Sequence, residues 1–409
     1  MEERKYDLYS YEFREQTHET YAAMREHDPV FRQPGLDGTT PIWFVTRYED
    51  AMAVLLDDER FVLDPELALS PEELEARNAT FGMQIDPRVN THLLTKDGDD
   101  HRRLRRLVSK AFTPRMVEGL RPRVQAIADE LLDAVEERGE MNLVDDYAFP
   151  LPIIVICELL GIPAEDRDRF REWSNLFVSP ALTEEAQQAF AVAIEQFLAY
   201  LHELFEQRRA DPGDDLVSAL VQAEEAGDML SEDELFGMVV LLIVAGHETT
   251  VSLIGNSVLA LLNHPEELER MRANPAALPE AAEELLRFDS PVERSITRWA
   301  TTDVEVGSQT IRRGELVIAV IGSANRDPER FPNADRLDTA RGDTKHLGFG
   351  RGPHFCLGAP LARLEAEIAL RTLFDRLPTL RLAIEEKDLY WRPIPLFRSL
   401  ASLPVAWDP

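Results

Sequence analysis

Cysteine is almost absent from this chain of 409 residues, which has only Cys157 and Cys356, far apart in sequence. That scarcity excludes a disulfide framework and points to a reducing compartment. Lysine is nearly as rare. Five of the 44 basic residues are Lys (Lys5, Lys96, Lys110, Lys345 and Lys387), against 75 acidic residues, for a formal net charge of −31. So much negative charge argues against nucleic acid or an anionic membrane surface as a partner. It suits a salt-adapted cytoplasm or simply GC-rich coding. Long hydrophobic runs are missing too. The longest strongly apolar run, Met238 to Ala245, is far too short to span a bilayer and stops at Gly-His-Glu. Met1 to Lys5 holds no apolar leader. Repeats, low-complexity tracts and Gly/Ser linkers are also lacking. A soluble cytoplasmic protein is expected, with no membrane association, folded as one domain over residues 1–409.

What is present is mostly helical periodicity. Helices are expected at 18–28, 48–56, 101–111, 114–137, 151–160, 165–177, 184–209 and 215–226. The longest should run from Ser231 to about Leu262, with Ser231 as N-cap and Glu234 closing a capping box. Shorter ones follow at 265–273 and 279–288. Strands are expected at 41–47, 303–306, 310–311 and 316–321, with strand-like pieces near 380–382 and 396–405. Residues 67–95, interrupted by Pro71, Asn78, Gly82, Pro87 and Asn90, read as a long irregular loop with at most one helical turn. The fold class is mainly α with minor β sheets, one at each end of the sequence.

Cys157 lies in the apolar run Ile153-Ile154-Val155-Ile156 and reads as an inert core residue. Cys356 differs. It sits in Phe349-Gly350-Arg351-Gly352-Pro353-His354-Phe355-Cys356-Leu357-Gly358-Ala359, just ahead of an amphipathic segment from Pro360 to Phe374. A thiol at the mouth of a helix is favoured as thiolate by the unpaired N–H groups there. Gly350, Gly352 and Gly358 remove side chains where backbone must turn sharply or approach something flat. Such a thiolate can be a nucleophile, a redox centre or a metal ligand.

The long helix carries Ala245-Gly246-His247-Glu248-Thr249-Thr250 near its middle, a polar notch in an apolar stripe. The Thr249 hydroxyl can compete for the Ala245 carbonyl and loosen the helix locally. His247-Glu248 opens like a zinc-protease motif, but Val251 stands where the second His would be. His354-x-Cys356 likewise lacks a second ligand pair for zinc. Glu284 and Arg287 share a helix face at i, i+3, ordinarily a common surface pair. His101 and Arg105 are i, i+4 neighbours in a basic cluster with Arg102, Arg103, Arg106 and Lys110. In so acidic a chain that cluster suggests a docking or anion site. Arg294 reads as a surface charge.

Together these pieces resemble the soluble, bacterial-type cytochromes P450, in the ferredoxin-dependent class and the branch that hydroxylates macrolides, polyketides and lipids. The resemblance is colinear from about Asp97 to Phe397. It rests on Phe349-x-x-Gly352-x-His354-x-Cys356-x-Gly358, Ala245-Gly246-x-Glu248-Thr249, Glu284-x-x-Arg287, Arg298 in Thr297-Arg298-Trp299, and Asn325-Arg326-Asp327-Pro328. It implies a triangular, helix-rich prism with a long central helix over haem b. Cys356 would then be the iron ligand, with Phe349, Gly350, Gly358 and Ala245 against the porphyrin. His101, Arg105, Arg298 and His354 would bind the propionates.

Glu248 and Thr249 would deliver protons during dioxygen reduction. Glu284 and Arg287 would be structural, with Arg336 as their third partner, although Ala334-Asp335-Arg336-Leu337 departs from the family's usual Pro and Phe there. The pocket would draw on the stretches Asn78 to Leu94 and Phe177 to Phe190, with Leu242, Val292, Ile296 and Phe397 lining it for a small lipophilic substrate. Electrons would come from a ferredoxin-type donor with its reductase, docked on Arg102, Arg103, Arg106, Arg115 and Arg351, to a monomer. A peroxide-driven peroxygenase and a non-catalytic haem protein are the alternatives, and the Glu248-Thr249 pair together with the basic docking face speaks for reductive monooxygenation.

Overall fold

The computed structural model describes residues 5–81, 86–178, 183–222, 224–225 and 228–408. The elements used below are, in chain order, strands β1 (Val30–Pro34), β2 (Pro41–Val45) and β3 (Phe61–Val62), and helices α1 (Pro71–Phe81), α2 (Gly98–Ala111) and α3 (Arg121–Asp133). Next come β4 (Glu140–Asn142), α4 (Pro150–Leu160), α5 (Glu184–Ala210), α6 (Glu232–Asn263) and α7 (Leu278–Phe288). Strands β5 (Arg298–Ala300) and β6 (Leu316–Ala319), helix α8 (Ala359–Arg376) and strands β7 (Arg381–Leu382) and β8 (Pro404–Ala406) complete the set.

The chain forms two compact units. One comprises Met1–Gln84, Gly255–Cys356 and Ile384–Leu403, and the other Ile85–Ile254, Leu357–Ala383 and Pro404–Pro409. The first is built on a five-stranded sheet in the order β1-β2-β6-β5-β3. Here β6 runs parallel to β2, with Leu316 opposite Ile42 and Ala319 opposite Val45, while its other neighbour β5 is antiparallel. The sequence reading of a separate minor sheet at each end is therefore corrected: strands from residues 30–62 and 298–319 share one sheet. A parallel pair needs a long crossover, and 270 residues of chain separating Val45 from Leu316 leave no local trace of it. Trp43, Val45, Tyr48, Val54, Phe61, Ala300, Val317 and Phe331 pack into the core beside this sheet.

The second unit is helical, with a small antiparallel sheet in the order β7-β8-β4. Helix α8 packs along α3, and α4 packs on α3 as well. Helix α6 starts as expected: Glu234 N–H donates to Ser231 Oγ at 3.2 Å, and Ser231 N–H donates to Glu234 Oε2 at 2.8 Å. By length and hydropathy α6 could cross a membrane, but 67% of its most apolar stretch is buried inside the protein, as in a core helix. Two expected helices are shorter than the pattern suggested. The 114–137 helix is divided at Leu120 into Pro114–Gly119 and α3, and the 215–226 helix ends at Val221. The stretch 67–95 is more ordered than expected, with α1 and a short helix at Pro87–Asn90; residues 82–85 lie outside the described residues.

The buried ion cluster of the first unit overturns two side-chain readings. Arg287 and Glu284 have no exposed side-chain surface and form a bidentate pair, with Nε to Oε2 at 2.6 Å and Nη2 to Oε1 at 2.9 Å. The third partner is Arg341, not Arg336: Arg341 Nε lies 3.1 and 3.0 Å from the two Glu284 oxygens. Arg336 is exposed and contributes its main-chain carbonyl, which accepts from both guanidinium groups. Asn333 sits in the left-handed region (φ 53°) in the segment that brings Arg341 back to the cluster. Nor is Arg294 a surface charge. It is 2% exposed, with Nε 3.2 Å from Glu293 and 3.1 Å from the Tyr21 hydroxyl, and Nη2 donates to the Leu8 carbonyl.

Removing one member of a buried charge cluster costs about 3–5 kcal/mol, whereas a typical exposed substitution stays within about 0.5 kcal/mol. Arg341→Ala should therefore lower the urea midpoint sharply and Arg336→Ala should barely move it. Equal effects would contradict the assignment of the third partner.

Candidate functional site

In the first unit the Cys356 loop is shaped by backbone bonds. Gly350 N–H donates to Leu347 O at 2.8 Å, Phe355 N–H to Gly352 O at 3.1 Å and Cys356 N–H to Phe349 O at 2.9 Å. Gly350 and Gly352 have φ of 69° and 75°, where a side chain is strained. At Gly352 a Cβ would also come within 3.1 Å of the Leu55 carbonyl oxygen. Gly358 is different: it has φ −80° and serves as N-cap of α8, so positive φ is not its reason. The Phe349 ring packs edge-on against Phe355. Cys356, partly exposed, lies three residues before the start of α8 in the chain. Cys157, by contrast, is buried, and burial pushes its thiol up to about 12.

Arg298 and His354 belong to the same unit. Arg298 is 3% exposed on β5 and donates from Nη1 to the Phe61 carbonyl at 2.9 Å. His354 closes the short turn Gly352–His354. The first unit also gathers three of the four lining residues. Val292 and Phe397 face each other in an antiparallel bridge. Ile296 is 38% exposed and borders a cleft of about 490 Å³ with Trp299, Arg77, Leu316 and Leu396.

The second unit supplies His101, Arg105, Leu242, Ala245, Glu248, Thr249 and Gly358. His101 is buried on α2, and Arg105 follows one turn later, partly buried. Asp99 and Asp100 occupy the first turn of α2, where the helix dipole favours acids. Along α6, Leu242, Ala245, Gly246 and Thr249 recur at i, i+3, i+4 and i+7 and form a stripe that is partly or fully exposed. Ile243, His247, Glu248 and Thr250 are buried behind it. Thr249 Oγ1 donates to the Ala245 carbonyl at 2.9 Å, the competition expected from the sequence.

The basic cluster is less available than it looked. Arg103 is held by Glu234 and Asp228 near the start of α6, and Arg102 pairs with Asp99. Arg106 and Arg115 are exposed. Arg351, in the first unit, donates to the His346 carbonyl. The expected pocket stretches at 78–94 and 177–190 include residues 82–85 and 179–182, which lie outside the described residues.

The donor chemistry discriminates among metal sites. Among the described residues no three His, Cys, Asp or Glu side chains converge as a metal site. A thiolate held in such a glycine loop suits an iron whose other ligands come with an organic ring, as haem iron's do.

Comparison with known proteins agrees with that chemistry. The family model Cytochrome P450 matches residues 168–380. The chain is 47% identical to Cytochrome P450 107B1 of Saccharopolyspora erythraea over 395 residues, covering 96% of this chain and 95% of that protein. It is 43% identical to 6-deoxyerythronolide B hydroxylase of the same organism, covering 98% of each. The crystal structure of myxobacterial cytochrome P450 CYP267B1 in complex with myristic acid matches with a TM-score of 0.92 at 44% identity, covering 98% of this chain and 99% of that one.

One titratable group of the second unit went unnoticed in the sequence because a Glu in an amphipathic helix ordinarily faces water. Glu365, on α8, is 1% exposed; its carboxyl interacts with the Thr250 hydroxyl, while Oε2 is buried with no hydrogen-bond partner among the described residues. Burial, slightly opposed by that hydroxyl, raises its pKa from 4.5 to about 8. The unfolded chain thus gives up this proton at lower pH than the folded one. Stability is lost as pH rises from about 4.5 towards about 8, by roughly 1.4 kcal/mol per unit, and the loss is complete above the folded pKa. Glu365→Gln should abolish that slope, so that its urea midpoint gains on the parent's steadily between those limits. Parallel curves would contradict a protonated Glu365.

Proposed function

The chain belongs to the cytochrome P450 family, and from that premise we propose how its own residues serve the reaction. It is a haem b monooxygenase, acting on a small molecule with dioxygen and electrons from redox partners. The observation that carries the residue assignments is Cys356: a partly exposed thiol three residues before α8 in the chain, in a loop that only glycines at 350 and 352 can follow without strain. Cys356 is the haem ligand in this reading. His101, Arg105, Arg298 and His354 offset the two propionates, which would be costly to bury without cationic donors. Phe349, Gly350, Gly358 and Ala245 would pack on the porphyrin. Haem bound through a thiolate supplies the activation of dioxygen.

The remaining work falls to α6. Thr249 and Glu248 move protons into the site, a hydroxyl and a carboxyl set in an otherwise apolar helix. The substrate is a lipophilic molecule of the polyketide or lipid class. The apolar side chains of Val292, Ile296 and Phe397 in the first unit and of Leu242 in the second support this, as do relatives whose names include 6-deoxyerythronolide B hydroxylase and a structural neighbour holding myristic acid. A ferredoxin-type protein with its reductase delivers electrons by docking on the exposed Arg102, Arg106 and Arg115. Reduction indifferent to salt would contradict that docking face. The protein works as a cytoplasmic monomer.

Titration of a panel of macrolactones and fatty acids, read by the haem Soret band, identifies the substrate. A panel that causes no shift would contradict the lipophilic class. With the best ligand, Thr249→Ala should keep its haem but divert reducing equivalents to peroxide, so that product per electron pair falls severalfold. An unchanged yield would contradict the proton-delivery role.

A further inference from the structure

His346 stands ten residues ahead of Cys356 in the first unit and is 3% exposed. It has no part in the haem contacts proposed for the loop, yet both of its ring nitrogens are engaged. Gly348 N–H donates to Nδ1 at 3.0 Å, and Nε2 lies 3.2 Å from Glu283 Oε2 on α7. A main-chain N–H only donates, so Nδ1 must offer a lone pair and the ring proton must sit on Nε2. Nε2–H then donates to the Glu283 carboxylate, and that charge-assisted bond fixes both the tautomer and the ring orientation.

The fit is close as well as directional. Gly348 is not in the left-handed region; instead, a Cβ there would come within 3.0 Å of His346 Nδ1 and 3.3 Å of Cε1. The missing side chain is the space that lets the imidazole reach the main-chain N–H. The His346 ring also packs on Phe349, with centroids 5.8 Å apart and planes at 49°. The His346 carbonyl accepts from Arg351 Nη2 at 3.0 Å. Phe349 in turn accepts from Cys356 N–H through its carbonyl. With glycine at 348, 350 and 352, the segment brings few side chains to hold itself, and the imidazole supplies that hold. We propose that His346 is a positioning residue for Cys356: its imidazole, oriented by Glu283, holds Gly348 and Phe349 so that the loop presents the thiolate to iron. This rests on the reading that Cys356 is the haem ligand. Loss of the hold leaves the thiol in the chain but frees the loop to drift.

The test follows the ferrous carbon-monoxide spectrum of the holoenzyme in dilute urea, where the long-wavelength thiolate band converts slowly to a short-wavelength one. His346→Asn places an amide oxygen near the position of Nδ1 and keeps an acceptor for Gly348 N–H. His346→Gln places its amide nearer Glu283 and loses that acceptor, and His346→Leu loses both bonds. Conversion should quicken roughly fivefold in the Gln and Leu variants, the worth of one hydrogen bond, and stay near the parent's rate in the Asn variant. The haem reduction potential, which follows the surroundings of the thiolate, should move in the same two variants and hold in Asn. Three variants that behave alike, whether fast or slow, would overturn the positioning role. In protein labelled with nitrogen-15 histidine, as the diamagnetic ferrous carbon-monoxide form, Nδ1 of His346 should be unprotonated and Nε2 protonated. The opposite tautomer would overturn the proposal as well. If the parent itself shows no thiolate band, the reading of Cys356 as ligand fails first, and the proposal falls with it.

Discussion

The first unit depends on a guanidinium that has no exposed surface. Arg287, clamped by Glu284, donates from Nη1 to the carbonyls of Asn325 and Ala334, each at 2.8 Å. Asn325 is thereby held, its amide donating to Ser290 Oγ and its Oδ1 accepting from Leu347 N–H at 2.7 Å. Leu347 then accepts from Gly350 N–H, and Phe349 accepts from Cys356 N–H. Hydrogen bonds linked through the backbone thus lead from one buried ion pair on α7 to the main-chain N–H of Cys356. Buried pairs of this kind add little net stability compared with well-packed apolar residues, because desolvation opposes the Coulomb gain. Their value here is geometric: Nη1 and Nη2 of Arg287 fix carbonyls of an otherwise irregular segment, and the Cys356 loop follows from that segment.

In the second unit the organising constraint is the opposite one, polarity admitted to an apolar helix. Helix α6 exposes Leu242, Ala245, Gly246 and Thr249 along one stripe and buries His247, Glu248 and Thr250 behind it. Two of these polar groups are engaged along the helix, His247 with the Ile243 carbonyl and Thr250 with the Gly246 carbonyl, and Thr250 also meets Glu365 of α8. Burial of this kind lets Glu365 retain a proton that an exposed carboxyl would lose.

Much of this was legible in the sequence, and the exceptions have physical causes. The Cys356 loop, the Ser231 capping box and the Thr249 bond to Ala245 are local: the residues that make each feature lie within a few positions, so pattern and geometry coincide. Arg341 was missed because its partnership with Glu284 spans 57 positions and depends on a left-handed turn at Asn333, which propensity does not reveal. Arg294 looked like a surface charge because nothing near it in sequence announces Leu8, Tyr21 and three aromatic rings around its guanidinium. Glu365 was overlooked for the same reason. The parallel pairing of β2 with β6 is also a long-range fact. By contrast, the identity of the chemistry was carried by the one cysteine that is not in the core.

The account stands on Cys356 as the haem ligand. The most direct measurement is the ferrous carbon-monoxide difference spectrum of the parent and of Cys356→Ser at equal haem content. The account predicts the long-wavelength thiolate band in the parent and its loss in the variant. Retention of that band without the thiol would contradict it.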